Sequence, residues 1–370
     1  MTPMRVLAWP AFRNRKDNPY NFLLYSHLQK LGVTVLDLGD VVRSPQQMWR
    51  VFWQGVDILH IHWPEYALSL PFSRMLLHAF TLFASSIWHR SRGGKVVWTV
   101  HNLSPHEDRY PFLVKWFYRA LAHVVDGLIF LTETSRSLFQ EDEKMQPFKD
   151  KPATVIPHGH YLPVYPDRLS KGEARKLLNL PPDAKVILFF GALRPYKGVE
   201  ELLAAAQDLS SEDFLFLIAG RPLSEDYKKQ LMRMAGECSH IQFHPWHVPD
   251  EKVPLYCSSA DLMILPYKEI LNSGTAFLAL TFGVPVVVPR LGSLKELSQR
   301  YPRLVYVYDP PLTKEKVIQS LESIRLSDSE REGEWKNFLR DYDWHKVAEQ
   351  TLKFYQTLKN LQITKESSEG

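Results

Sequence analysis

The stretch that decides the fold is Phe189-Phe190-Gly191-Ala192-Leu193-Arg194-Pro195-Tyr196-Lys197-Gly198-Val199-Glu200-Glu201-Leu202-Leu203. It reads as the end of a buried strand (Val186 to Phe190), a turn opened by Gly191, and a helix starting near Gly198. Such a turn aims backbone N–H groups and a helix N-terminus at whatever lies beyond the strand, and Arg194 and Lys197 add two positive charges there. A planar guanidinium fork beside a mobile ammonium suits a diphosphate better than a single carboxylate. Taken alone, Arg-x-x-Lys fits a solvated surface turn equally well, so the rest of the chain has to decide.

Around this stretch, short apolar runs alternate with helix-length segments. They fall at Met4–Ala8, Val33–Leu36, Ile58–His62, Val96–Val100, Gly127–Leu131 and Thr154–Ile156, and again at Val186–Phe190, Phe214–Ala219, Ile241–Phe243, Leu262–Leu265, Val284–Val288 and Leu304–Tyr308. Strands that are apolar on both faces and separated by helices form parallel sheets from βαβ units. Two such sets in 370 residues predict an α/β chain of two Rossmann-like doubly wound domains, 1–165 and 166–343, joined through the proline-interrupted stretch from Pro157 to Asp183. The segment 344–363 reads as a helix crossing back to the first domain, and 364–370 as a polar, disordered tail. Ligands of such sheets bind beyond the carboxyl ends of the strands.

Composition narrows the function. Cys238 and Cys257 form neither a zinc pattern nor a disulfide framework, so no metal ligands are expected and the compartment reads as reducing. The N-terminus leads directly into a strand without a leader pattern, and no apolar run is long enough to span a bilayer, which suggests the cytoplasm. Residues 1–165 carry the basic excess, with 18 Lys+Arg against 13 Asp+Glu, while the remainder is balanced at 27 against 28. That excess fits an anionic lipid surface or a phosphate-bearing substrate, and there is no dense basic stripe or reading module for nucleic acid. The apolar segment Phe72 to Trp88, followed by His89, Arg90, Arg92 and Lys95, reads either as a buried core helix or as a helix resting on the inner face of the membrane. A dehydrogenase is excluded by the first βα turn, where Ala8-Trp9-Pro10-Ala11-Phe12 replaces a glycine fingerprint.

The second half carries linked signals in a fixed order: Gly191 to Leu203, then Ile218-Ala219-Gly220-Arg221, where Gly220 lets a backbone approach a ligand. Next come His244 to Tyr256 with Val248 inside it, Ala260-Asp261-Leu262-Met263-Ile264-Leu265-Pro266-Tyr267, and Asn272-Ser273-Gly274-Thr275 ahead of an apolar helix ending in Phe282-Gly283-Val284-Pro285-Val286-Val287. From about residue 186 to 298 these pieces resemble the nucleotide-sugar-binding domain of GT-B glycosyltransferases. The resemblance implies two facing domains with a cleft, a donor diphosphate held by Arg194 and Lys197, phosphates facing Ser273 and Gly274, and further donor contacts from Gly191, Gly220, Val248, Glu269 and Thr275. It implies a nucleotide diphosphate sugar as donor substrate, GDP-mannose first and a UDP-sugar second, with no bound cofactor. Helix N-terminal N–H groups would take the electrostatic place of a divalent ion.

In the first half, His60-Ile61-His62-Trp63-Pro64-Glu65, Trp98-Thr99-Val100-His101-Asn102-Leu103-Ser104-Pro105-His106-Glu107 and Ile156-Pro157-His158-Gly159 each follow a strand. These look like pieces of bacterial exopolysaccharide glycosyltransferases, including enzymes similar to the xanthan mannosyl- and glucuronosyltransferases. Buried histidines are more often structural, but histidine clusters at strand carboxyl ends favour a site.

One departure from the commonest GT-B pattern bears on mechanism. Many retaining members place two glutamates eight positions apart before the Gly-x-Pro-Val helix end, and alignment on Gly283-Val284-Pro285-Val286 puts Ile270 and Leu278 at those places. Glu269 lies one residue off, and Glu269 or Glu296 would have to substitute. The reading is therefore inverting transfer, in which a base takes the acceptor hydroxyl proton as that oxygen attacks the anomeric carbon. The candidates are His101, His106, Glu107, Asp108 and Asp17, with Glu107 preferred and His101 or His106 orienting it; Glu107 could equally cap the helix starting near Tyr110. The expected activity is hexosyl transfer to a lipid-linked saccharide during surface or exopolysaccharide assembly. The alternatives are a soluble transferase with a small acceptor, or a silent nucleotide-sugar-binding partner subunit.

Overall fold

The structure is a computed structural model describing residues 3–9, 19–37, 55–103, 109–166, 169–209, 214–326 and 328–368. The chain divides into two compact units, one of Met1–Gly159 with Asp343–Gly370 and one of His160–Tyr342. The first division falls ahead of residue 165 because 160–165 are tied to the second unit: the His160 amide donates to the Tyr342 carbonyl at 2.9 Å and the Tyr161 amide to Thr281 Oγ1 at 2.9 Å.

The first unit holds six parallel strands, β1 (Arg5–Trp9), β2 (Thr34–Asp37), β3 (Ile58–His62), β4 (Lys95–Val100), β5 (Gly127–Phe130) and β6 (Ala153–Val155), in the order β2-β1-β3-β4-β5-β6. The second holds β7 (Lys185–Phe190), β8 (Phe214–Ala219), β9 (Ile241–His244), β10 (Leu262–Ile264), β11 (Val286–Pro289) and β12 (Val305–Tyr308), in the order β12-β11-β10-β7-β8-β9. Each of the twelve runs read from the sequence is a strand, with ends shifted by a residue or two. The second order is the Rossmann arrangement with its switch point between β7 and β10, and the first reverses between β1 and β3.

β7 shows why these runs are continuously apolar. Val186, Leu188 and Phe190 face one core cluster and Ile187 and Phe189 the other, so both faces are covered and alternation disappears. Each such side chain contributes about 1.5–3 kcal/mol on burial.

β3 behaves differently. Leu59 and Ile61 join the apolar core, while His60 and His62 point to the opposite face, where both are fully buried. Helix Tyr20–Lys30 and helix Trp344–Ser368 cover that face, with Tyr25 and Tyr355 supplying hydroxyls to the two rings. The last helix runs to Ser368, through most of the segment expected to be disordered. Residues 364–368 include no Gly or Pro, so nothing in them interrupts the backbone ladder.

Candidate active site

The second unit builds an anion site at its switch point. β7 ends at Phe190; Gly191 turns the chain, Pro195–Lys197 make one 3₁₀ turn, and helix Val199–Gln207 follows. Two glycines make this packing feasible. Gly198 has φ 68°, and a Cβ there would run into the Pro266 carbonyl oxygen just beyond β10; a Cβ on Gly220 would strike the Gly191 carbonyl oxygen. The Gly191 amide in turn donates to the Ala219 carbonyl at 3.0 Å, locking the ends of β7 and β8 together.

Lys197 Nζ and Thr275 Oγ1 both reach the space over Gly191, 3.3 and 3.5 Å from where its Cβ would stand. Lys197 Nζ also lies 6.0 Å from the centre of the Tyr267 ring. The Tyr267 hydroxyl is 3.0 Å from Ser273 Oγ and bonds Thr275 as well. Ser273 caps helix Gly274–Thr281, its Oγ accepting the Ala276 amide at 3.1 Å. One ammonium, three hydroxyls and the start of a helix therefore converge at the ends of β7 and β10. Burial, and then Arg194, push the Lys197 ammonium down to about 8, so the site carries crowded positive charge that an anion would relieve. Arg194 keeps its guanidinium at the rim, donating to the Leu193 carbonyl at 2.9 Å and the Arg221 carbonyl at 3.3 Å.

Other expected donor contacts fare differently. The Val248 side chain is buried in the core, which leaves only its backbone for a ligand. Glu269 is exposed on the bend between β10 and Ser273. Ile270 and Leu278, at the positions of the two family glutamates, pack against the core as apolar side chains. A shallow cleft of about 250 Å³ beside Cys257, Asp261, Val284 and Pro285 opens at the amino ends of β10 and β11, the wrong end of the sheet for a donor. Its walls are held by the ion pairs of Asp261 with Arg175 at 2.6 Å and Lys171 at 2.8 Å.

In the first unit the histidines form two buried hydrogen-bonded chains. Tyr25 hydroxyl and His62 Nε2 are 2.7 Å apart, His62 Nδ1 and His101 Nε2 3.0 Å, Tyr355 hydroxyl and His60 Nδ1 2.7 Å, and His60 Nε2 and Thr99 Oγ1 2.7 Å. A neutral imidazole offers one donor and one acceptor, so each chain can be satisfied head to tail. Burial lowers His60 to about 3 and His158 to about 4, and drives His62 and His101 well below the ordinary imidazole value. His60 and His62 are thus core residues, not the site residues their place at a strand end suggested. His101 sits at the end of β4, stacked on Trp63 with ring centres 4.1 Å apart and planes at 18°. His106, Glu107, Asp108 and Asp17 lie outside the described residues.

Glu65 has no role in the sequence reading, although it closes the quoted β3 motif. Trp63 takes a left-handed conformation (φ 48°), which turns the chain sharply into Pro64 and tucks Glu65 inside. Asn102 Nδ2 donates to Glu65 Oε1 at 3.2 Å, and Oε2 has no partner among the described residues. Burial raises this carboxyl to about 7. The signal available in sequence was a Glu one turn from a strand end, too common to single out. Tyr267 was missed similarly, since only the fold brings it against Ser273.

Known proteins agree with this geometry. Residues 170–336 match the family model described as glycosyl transferases group 1. The chain is 29% identical over 318 residues to the GDP-mannose:glycolipid 4-beta-D-mannosyltransferase of Xanthomonas campestris pv. campestris, covering 85% of this chain and 82% of that protein. Among solved structures, sucrose-phosphate synthase from Thermosynechococcus elongatus superposes with a TM-score of 0.72 at 14% identity, covering 96% of this chain and 99% of the other. Anabaena HepE in complex with UDP and glucose superposes with a TM-score of 0.69 at 15% identity, covering 96% and 100%. Residues 170–336 are thus a glycosyl transferases group 1 domain, and the two six-stranded parallel sheets have the GT-B fold of these structural neighbours.

Proposed function

We propose that this glycosyltransferase moves a hexosyl group, mannosyl first, from a nucleotide diphosphate sugar to a lipid-linked saccharide in surface or exopolysaccharide assembly, at the inner face of the membrane. The observation that carries the donor half is the convergence of Lys197 and Thr275 over Gly191 at the switch point of the second sheet, with Ser273 joined to Thr275 through the Tyr267 hydroxyl. A diphosphate seated there gains charge-assisted hydrogen bonds from Lys197 and Arg194 and the field of a helix N-terminus, with no divalent ion in the scheme. Similarity to an enzyme named for GDP-mannose and a glycolipid supports the choice of donor and acceptor. GDP-mannose is the first choice and a UDP-sugar the second.

Inverting displacement is the mechanism we propose. A retaining enzyme of the commonest pattern would need carboxylates where Ile270 and Leu278 pack as apolar side chains. The attacking acceptor oxygen loses its proton to Glu107, the anomeric bond to the diphosphate breaks, and the departing negative charge falls on Lys197 and Arg194. The test is the product's anomeric configuration by NMR: a β-linkage from an α-linked nucleotide sugar is expected, and an α-linkage overturns inversion. Glu107→Gln should lower turnover by ~10²–10⁴-fold with donor binding kept, and near-normal turnover moves the base elsewhere.

A further inference from the structure

Seven of the sixteen exposed large hydrophobic side chains among the described residues sit on just two helices of the first unit, Phe72–Ser91 and Pro111–Val124. On the first, Phe72, Leu76, Phe80, Ala84 and Ile87 recur every three or four residues, so they form one stripe, and all are exposed. Met75, Leu82, Ser85, Ser86 and His89 line the opposite, buried side. The outward face of this helix is thus apolar along its whole length, the reverse of an ordinary surface helix. On the second helix Phe112 and Trp116, 71% and 66% exposed, stand one turn apart.

The two helices present these stripes on one side of the first unit. They connect β3 to β4 and β4 to β5, adjacent parallel strands added in one direction, and right-handed crossovers place both on the same face of the sheet. Phe83 and Phe117 meet edge to face at 5.6 Å where the helices pack together.

Charge identifies what covers them. Neither helix contains an Asp or Glu, while Arg74, Lys115 and Arg119 are exposed beside the apolar stripe, and Arg119 lies 5.4 Å over the Trp116 ring. A second protein surface needs carboxylates somewhere to meet its own cations, whereas an anionic bilayer interface takes aromatic and aliphatic side chains into its acyl boundary and Lys and Arg at its phosphates. No helix among the described residues is long and apolar enough to cross a membrane. Resting on one is the geometry that remains. Arg90 and Lys95, expected from the sequence as membrane cations, do not take part: Arg90 is bound to Asp126 at 3.1 Å and to the His123 carbonyl at 2.6 Å, and Lys95 is half-buried at the start of β4.

We infer that this two-helix face is an interfacial membrane anchor, with Phe72, Leu76, Phe80, Phe112 and Trp116 inserted and Arg74, Lys115 and Arg119 on lipid phosphates. The inference rests on the reading of a lipid-linked acceptor and identifies the surface that brings the enzyme to it.

Co-sedimentation with vesicles of phosphatidylglycerol and phosphatidylcholine, and with phosphatidylcholine alone, tests it. Binding to the anionic vesicles at low salt is expected, weakening as salt rises. Lys115→Ala with Arg119→Ala should reduce partitioning roughly thirtyfold, at about fivefold per charge. Phe80→Ser with Phe112→Ser, both exposed and so tolerated by the fold, should reduce it at least about tenfold. Acyl-brominated lipid should quench a fluorescence component that is absent in Trp116→Phe. Vesicle binding unchanged in both double variants overturns the anchor, as does a dimer in sedimentation that the Ser substitutions dissociate. Calorimetry with GDP and UDP separates the two readings: vesicle binding without nucleotide binding removes the donor assignment and leaves the anchor standing.

Discussion

At the scale of single residues, the two groups with the clearest consequences are Lys197 and Glu65. Burial and then Arg194 hold Lys197 down to about 8, so it begins to lose its charge near that pH. Binding of a nucleoside diphosphate favours the charged form, so affinity should be flat below pH 7 and fall as pH rises past about 8. Calorimetry across pH 6.5 to 9.5 checks this, and Lys197→Arg should flatten the profile because a guanidinium does not deprotonate there. Lys197→Ala and Arg194→Ala should each weaken nucleotide binding roughly ten- to a hundredfold at neutral pH, the value of one charge-assisted contact. Unchanged affinity in both would remove the diphosphate site. Glu65 works in the opposite sense on stability. Its folded value is raised to about 7, so its contribution is full below about 4.5 and is lost as pH rises through 7, where a charge must be carried inside the protein. Glu65→Gln should therefore shrink the difference in melting temperature between pH 6 and pH 8. An equal difference in both proteins would mean the carboxylate finds a partner.

Among the elements, helix Trp344–Ser368 is the one whose role depends on distant sequence. Trp344 is fully buried, 5.3 Å from the Tyr20 ring and 5.9 Å from His158, and its indole fills the place where a Cβ on Gly159 would be. Tyr355, three turns further on, is 2.7 Å from His60. Truncation of Trp344 to Ala should cost about 3–5 kcal/mol by opening a cavity that Gly159 cannot fill. Denaturant unfolding measures this, and a loss under about 1 kcal/mol would mean that the helix is not integral to the first unit. The period of this helix is readable from sequence, but its partners lie between about 185 and 325 positions away and leave no local trace. The same holds for β3: Ile-Leu-His-Ile-His reads as a strand, yet whether its histidines meet substrate or a pair of tyrosines depends on which helices cover that face.

For the whole molecule, the buried histidines set the acid limit. His60 and His158 fall to about 3 and 4, and His62 and His101 also lie well below the free value near 6.5. The unfolded chain takes up protons at 6.5 that the folded chain refuses, so stability is full above that pH and falls toward pH 4, at about 1.4 kcal/mol per unit for each of His60 and His158, with His62 and His101 acting in the same direction. Urea midpoints at pH 7.5, 6 and 5 should decrease in that order; a level series would mean the cluster is already accessible to protons. What the sequence determined by itself was the local part: twelve strands, the glycine turn at Gly191, the helices that follow, and the two cations three residues apart. Each rests on patterns spanning fewer than about fifteen residues, the range over which hydrophobic period and backbone geometry act. Tertiary structure alone decided the rest. It set Tyr267 between Ser273 and Thr275, tied Arg90 to Asp126, buried His60 and His62 beneath Tyr355 and Tyr25, and turned the apolar stripe of Phe72–Ser91 outward, because burial and charge pairing depend on which distant segments arrive, and no single segment encodes its neighbours.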